Sequence, residues 1–258
     1  MEIVNNALDV KKTSVQTVKK ILADGTSCVQ ERDVLIEHFL DVYVNGTIFF
    51  KLTCTNSMLV ELVLGRLITE GIIADKEEIK LLSICQYGRT AKVFLEDSID
   101  FSLCKAREAS CCTDNIILRK SESLELKSLP PFTIKNEWIF NLANAFSKDS
   151  SIHKKTNGTH TCILALKDKI LCSTEDIGRH NALDKAIGYI ALNNIPKEEC
   201  ILFTTGRVPL DMVQKVIAAG IPCLVSKSVP TTAAIDLAKR YNLNLICRAW
   251  PDSFELSV

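Results

Sequence analysis

The second half of the chain switches repeatedly between two hydrophobic periods. HTCILAL (160–166) and KILCST (169–174) are short apolar runs on either side of Lys167-Asp168, which predicts two strands joined by a turn. From Arg179 to Leu192 the period lengthens: Ala182, Leu183, Ala186, Ile187, Ile190 and Ala191 recur at helical spacing and predict one buried stripe. The run CILFTT then leads through Gly206-Arg207 into a helix with Pro209 near its start and Gly220 past its end. PCLVS leads through Lys227-Ser228-Val229-Pro230 into TTAAIDLAKRYN, and NLICRA closes the series. This β-α-β-α-β order predicts a parallel sheet with right-handed crossovers.

The first half reads mainly as strands. Asp41 to Phe50 holds Asn45-Gly46 between two β-rich arms, a hairpin signal because both turn residues tolerate positive φ. MLVELVLGRLITEG (58–71) fits a largely buried helix that any of Thr55, Asn56 or Ser57 can cap and that Gly71 ends. Strands are expected around Ile79–Cys85 and Ala91–Leu95. The stretch from about Asp97 to Pro131 is polar, carries Cys104, Cys111 and Cys112, and ends in Pro130-Pro131. It reads as a long, partly mobile connection between two lobes. A further helix is expected from Thr133 to Phe146, with Ile134, Trp138, Leu142 and Ala145 on one face. The expected class is therefore α/β: a larger α/β lobe over residues 131–258 and a smaller α+β lobe over residues 1–130.

Composition narrows the function classes. Lysine plus arginine and aspartate plus glutamate both total 31, so wholesale nucleic-acid binding is not expected. The N-terminus lacks the apolar stretch of a signal peptide, and no apolar run nears the ~18 residues that span a membrane. A cytoplasmic protein without membrane partners is the expectation. Its 11 cysteines lack framework spacing, so most read as small buried hydrophobes.

The most distinctive segment is EDIGRHNALDK (175–185), at a strand-to-helix junction with six ionisable residues out of eleven. Gly178 permits a sharp turn or a close approach. Arg179, His180 and Asn181 crowd a first helical turn, whose free N–H groups and dipole attract anions. His180 and Asp184 stand four apart, so the carboxylate can orient the imidazole. The alternative is a polar junction with surface ion pairs. TTGRVP and SKSVPTT repeat the strand-to-helix arrangement, and Thr205, Gly206, Arg207 and Ser228 offer phosphate donors, with simple helix capping as the alternative. Neither loop is a Walker A or GxGxxG fingerprint.

EDIGRHNALDK, followed by TTGR, AAGIPCLVSKSVPTTAAIDLAK and NLICR, resembles the FdhD/NarQ family of formate dehydrogenase accessory sulfurtransferases. Val42–Gly46 and Gly65 through Glu70-Gly71 match its first half, and the likeness runs from about Glu31 to the C-terminus. The resemblance implies a cytidine deaminase-like three-layer αβα lobe with a smaller lobe added, in a homodimer. It implies sulfur taken from a cysteine desulfurase as a cysteine persulfide. The sulfur is passed to the molybdenum or tungsten bis-guanine-dinucleotide cofactor destined for formate dehydrogenase, for which a guanine nucleotide is a mimic. Carried over residue by residue, the cofactor contacts are Gly178, Arg179, His180, Asn181, Asp184, Lys185, Thr205, Gly206, Arg207, Ser228 and Arg248, with no metal ligand of the protein's own.

Two departures accompany the likeness. The family's Cys-x-x-Cys falls on Ser110 to Asn115, where Cys112 takes the first position and Asn115 replaces the second cysteine; a shifted register puts Cys111 first. At the C-terminus no arginine follows Arg248 in Arg248-Ala249-Trp250-Pro251. Cys112 is the expected carrier, with Cys111 as the alternative, and Lys105, Arg107, Arg119 and Lys120 favour a thiolate there. A non-catalytic cofactor chaperone is the rival reading. A zinc hydrolase ranks last, because no Cys-x-x-Cys occurs in the chain.

Overall fold

The structure is a computed structural model that describes residues 1–96, 104–108, 116–120, 126–148 and 151–257. The first half provides β1 (Glu2–Asn5), β2 (Thr13–Ile21), β3 (Ser27–Leu35), β4 (His38–Val44), β5 (Thr47–Cys54), α1 (Leu59–Thr69), β6 (Ile79–Ile84), β7 (Thr90–Leu95), β8 (Cys104–Glu108) and β9 (Ile116–Lys120). Among the described residues, seven of these strands form one sheet in the order β1-β6-β7-β4-β5-β9-β8, and β2 pairs with β3 as a separate ribbon. Asn45 and Gly46 both have positive φ, 47° and 84°, as the two-residue hairpin between β4 and β5 requires. The connection expected to be a loop contributes β8 and β9, and β9 pairs with β5. The apolar run Ile116-Ile117-Leu118 favours pairing there, although polar neighbours mask it in the sequence.

The second half provides α2 (Asn136–Lys148), α3 (Ser151–Thr156), β10 (His160–Leu166), β11 (Lys169–Asp176), α4 (Arg179–Leu192), β12 (Cys200–Thr204), α5 (Leu210–Ala218), β13 (Cys223–Ser226), α6 (Thr232–Arg240), β14 (Asn244–Cys247) and β15 (Glu255–Leu256). The sheet order is β11-β10-β12-β13-β14-β15. Strands β12, β13 and β14 are parallel as expected, whereas β10 runs antiparallel to β12 and makes the sheet mixed. Helix α2 begins at Asn136, three residues later than the apolar spacing suggested. Its buried face is Ile139, Leu142, Ala143 and Phe146.

Alternation along the central strands divides the interior in two. Cys162, Leu164, Leu202, Leu224 and Leu245 face α1, α4, α5 and α6 in the larger core. Ile163, Ala165, Ile201, Phe203, Val225 and Ile246 face α2. This is the period-2 pattern of a sheet buried on both faces. The larger core also takes Leu40, Val42, Leu52, Leu82 and Val93 from the seven-stranded sheet, so the two halves of the chain share one interior.

Helix α1 is the centre of that shared interior. Ten of its eleven residues are buried, which explains its apolar character on every face. Each fully buried leucine, isoleucine or valine contributes about 1.5–3 kcal/mol. Its start is not capped by Thr55, Asn56 or Ser57: Met58 occupies the cap in a left-handed conformation with no side-chain bond. Thr55 is instead bonded to Asp176 and Lys185. At the other end Gly71 has φ 68°, with Gly71 N bonding to Ile68 O and Ile72 N to Leu67 O, the Schellman arrangement that glycine was expected to supply.

Helices α1 and α4 cross at Gly65 and Gly188. A Cβ on Gly65 would overlap the Asp184 carbonyl, and one on Gly188 would overlap the Glu61 carbonyl. The two backbones are thus in direct contact, which fixes where the segment 175–185 sits relative to the first half. No helix among the described residues is long and apolar enough to cross a membrane.

Candidate functional site

Four of the six ionisable residues in EDIGRHNALDK point into the protein. Asp176 is fully buried. Its Oδ2 meets Lys185 Nζ at 2.6 Å and accepts Thr55 N at 3.0 Å. Its Oδ1 accepts Gly178 N and Asn181 Nδ2, both at 3.0 Å. Lys185, also fully buried, donates further to Thr55 Oγ1 at 2.8 Å and Glu175 O at 3.1 Å. Asn181 reaches Thr53 O at 2.8 Å. The carboxylate of Glu175 accepts Ile152 N and His153 N at 3.1 and 2.9 Å and so caps the start of α3.

Asp184 closes a second buried network, at the α1–α4 crossing. It accepts Arg66 Nη1 at 2.8 Å, Thr69 Oγ1 at 2.9 Å and Lys215 Nζ at 3.1 and 3.2 Å. Glu70 supplies the fourth charge, 3.0 Å from Lys215 Nζ. Two cations therefore balance two carboxylates, a condition for burying them at all. His180 is not oriented by Asp184, whose oxygens are taken by these donors. Its Nε2 lies 3.0 Å from Asp211 Oδ2, on the first turn of α5.

Arg179 and His180 remain on the side of the strand-to-helix loops. The side chain of Arg179 lies across Gly206, where an added Cβ would stand 2.8 Å from Arg179 Cβ and 2.9 Å from Cδ. Only glycine allows this approach. Arg179 Nε is buried with no hydrogen-bond partner among the described residues. Thr205 Oγ1 accepts Thr161 N at 3.1 Å and lies 3.4 Å from His160 Nδ1. Burial, then the Arg179 charge, hold the His160 imidazole below its ordinary value, with His153 and His180 acting in the same direction.

The two later loops are pinned to each other. Ser226 Oγ donates to Gly206 O at 2.8 Å and accepts Ser228 N at 2.9 Å, and Val208 bridges Pro230. Arg248 N bonds to Ser228 O at 2.9 Å, while its exposed guanidinium pairs with Glu255 at 3.3 Å. Arg207 is exposed. Helices α4 and α5 begin at Gly178 and Pro209 without a side-chain cap, whereas Thr231 caps α6.

The structure thus gathers Gly178, Arg179, His180, Thr205 and Gly206 into one cluster, with Ser228 and Arg248 reached through Ser226. It places Asn181, Asp184 and Lys185 in buried networks instead. His160, Asp176, Asp211 and Ser226 belong to the assembly although spacing did not single them out. His160 opens a strand, and an ionisable residue beside an otherwise apolar run was its available signal. Cys111 and Cys112 lie outside the described residues. Among the described cysteines, burial pushes Cys172, Cys200 and Cys247 up to about 12, and Cys54, Cys162 and Cys223 upward as well. At Cys85 partial burial also acts upward, but backbone N–H donors from Thr90, Tyr87 and Arg89 outweigh it, and the thiol lies below its ordinary value.

Fold and site together define a mixed α/β protein with a cluster of backbone and side-chain donors around Arg179, at strand-to-helix loops of the kind that suit anions. The chain belongs to the FdhD/NarQ family, whose sequence model matches residues 35–256. It is 32% identical over 250 residues to the sulfur carrier protein FdhD of Bacillus licheniformis, covering 94% of this chain and 95% of that protein. With the sulfur carrier protein FdhD of Staphylococcus haemolyticus the identity is 33% over 225 residues, 84% of this chain and 85% of the relative. The fold also matches the crystal structure of a chain assigned as a formate dehydrogenase accessory protein from Desulfotalea psychrophila. That match has a TM-score of 0.77 and 24% identity, and covers 95% and 96% of the two chains.

Proposed function

We propose that this chain is a sulfur carrier serving formate dehydrogenase, and that the cluster around Arg179 receives the anionic part of a molybdenum or tungsten bis-guanine-dinucleotide cofactor. The observation that carries the reading is Arg179: its buried Nε has no partner among the described residues, beside the uncapped start of α4 and the bare backbone of Gly206. Phosphate oxygens are the acceptors that such a guanidinium and such N–H groups best match. Arg207 adds exposed charge at the rim, Arg248 an exposed guanidinium paired with Glu255, and Ser228 a hydroxyl. Asn181, Asp184 and Lys185 serve by holding Gly178–His180 in place.

In this reading Cys112 carries the sulfur, with Cys111 as the alternative. Its thiolate attacks the terminal sulfur of a desulfurase persulfide; an S–S bond forms on this chain and the desulfurase thiolate leaves. The raised thiols of the buried cysteines make them poor competitors. The homodimer and the cytidine deaminase-like fold of the α/β half belong to the same reading.

The test is incubation with a cysteine desulfurase and cysteine, followed by mass spectrometry. The expected product is one added sulfur that disappears in Cys112→Ala and survives in Cys111→Ala. Asn115, at the second cysteine position, favours the rival chaperone. A wild-type protein that takes up no sulfur yet binds GDP establishes that rival and overturns the carrier.

A further inference from the structure

Trp250 is one of the chain's two tryptophans. It lies three residues past the carboxyl end of β14, on a turn closed by Trp250 N bonding to Ser253 O at 2.7 Å. The turn is held to the neighbouring loop by Arg248 N to Ser228 O and Ala249 N to Ser226 O, at 2.9 and 3.0 Å. The Lys227 ammonium stands 4.6 Å from the centroid of the Trp250 ring and 5.1 Å from that of Phe146. A cation held against an indole fixes its plane. Even so, 44% of Trp250 is exposed.

Position gives this ring a use. Ser226, the last residue of β13 and an anchor of the Trp250 turn, also donates to Gly206, against which Arg179 lies. The loops of Gly206 and Trp250 follow β12 and β14, separated by the single strand β13. At ~4.8 Å between neighbouring strands, the two strands that lead into these loops lie about 10 Å apart. An anion subsite and a half-exposed indole on loops so spaced suit the two ends of a nucleoside diphosphate.

We infer that Trp250 is a stacking platform for the purine base of a diphosphate ligand whose phosphates lie at Arg179 and Gly206. The inference rests on the anion site proposed above and adds the aromatic half of its ligand. Stacking on an indole tolerates any base, so Trp250 contributes affinity rather than choice of purine.

Fluorescence separates the two subsites, because the chain has only two tryptophans. In Trp138→Phe, Trp250 is the sole indole, and titration with GDP is expected to quench its emission saturably. Inorganic pyrophosphate is expected to bind without quenching. By calorimetry, Trp250→Ala should lower GDP affinity on the order of 10-fold and leave pyrophosphate affinity unchanged, and Trp250→Phe should restore most of the loss. Unchanged GDP affinity in Trp250→Ala, with pyrophosphate still competing, overturns the platform and leaves the anion site standing. Equal loss of both ligands in Trp250→Ala gives the ring a purely structural role and also overturns it. Failure of the wild-type protein to bind either ligand removes the anion site, and the platform with it.

Discussion

Asp184 offers the sharpest separation between a residue that contacts a ligand and one that holds the fold. Asp184→Asn changes one oxygen to an NH2 group with almost no change in volume. In the folded protein that carboxylate accepts four contacts from three donors, Arg66, Thr69 and Lys215, at 2.8–3.2 Å. The amide keeps one acceptor and turns a donor toward groups that are themselves donors. It also removes one of the two negative charges that balance Arg66 and Lys215, leaving an uncompensated cation in an interior where Arg66 is 1% exposed. Breaking a buried pair from one side costs about 3–5 kcal/mol, a large share of the ~5–15 kcal/mol that holds a domain folded. At about 2–4 °C per kcal/mol for a chain of this size, the melting temperature falls by roughly 6–20 °C. Urea unfolding followed by circular dichroism measures the change directly. Asp184→Asn combined with Lys215→Met restores charge balance, and should be more stable than the sum of the two single losses. A variant that unfolds within ~1 kcal/mol of wild type but no longer binds GDP would refute the interlock and return Asp184 to the ligand.

Gly188→Ala should destabilise by about 1–3 kcal/mol, near the upper end because the neighbours met by its Cβ are backbone atoms of Glu61; the urea midpoint reports it. Arg179→Ala should weaken pyrophosphate binding on the order of 10-fold with an unchanged urea midpoint, and Arg179→Lys should lose less. For His160 the folded imidazole is held below its ordinary value of 6.5, so below that pH the unfolded chain binds the proton first. Its contribution therefore erodes as pH falls from 6.5 toward the folded value, and the fall in stability over that window should be shallower in His160→Gln. Limited iodoacetamide at pH 7.5, followed by peptide mapping, should modify Cys85 well before Cys162 or Cys223, in line with the opposite directions of their thiol shifts.

The central strands were legible because each keeps one period, and α4 because its apolar residues recur at helical spacing, although the helix is in fact buried all round from His180 to Gly188. Cys200 to Thr204 alternates between two cores, and the stripe from Ala182 to Ile190 lies against the sheet as its spacing requires. Asn45-Gly46 and Gly71 were legible because so few residues accept their backbone angles. The β2–β3 ribbon escaped notice because its apolar residues, such as Ile21 and Val29, are more than 70% exposed and make no buried face for a pattern to reveal. The division of labour inside EDIGRHNALDK was hidden for another reason. Asp176, Asp184 and Lys185 are matched by Thr55, Arg66 and Thr69 more than a hundred residues earlier, and spacing within one segment cannot show partners at that distance. Arg66, the one cation of a mostly apolar helix, was the available sign that a distant carboxylate was needed.

The sequence separation of that pair also bears on how the protein is made. Arg66 and Asp184 are 118 residues apart, so at about 5–20 residues per second the ribosome needs roughly 6–24 s between them. Until Asp184 emerges, the guanidinium of Arg66 has the carboxylate of Glu70, one turn on, as its partner within the first half. The first half alone also lacks α4, on whose backbone Gly65 of α1 rests, so that side of α1 stays uncovered until the second half is made. The native burial of α1 is therefore complete only once both halves have been made.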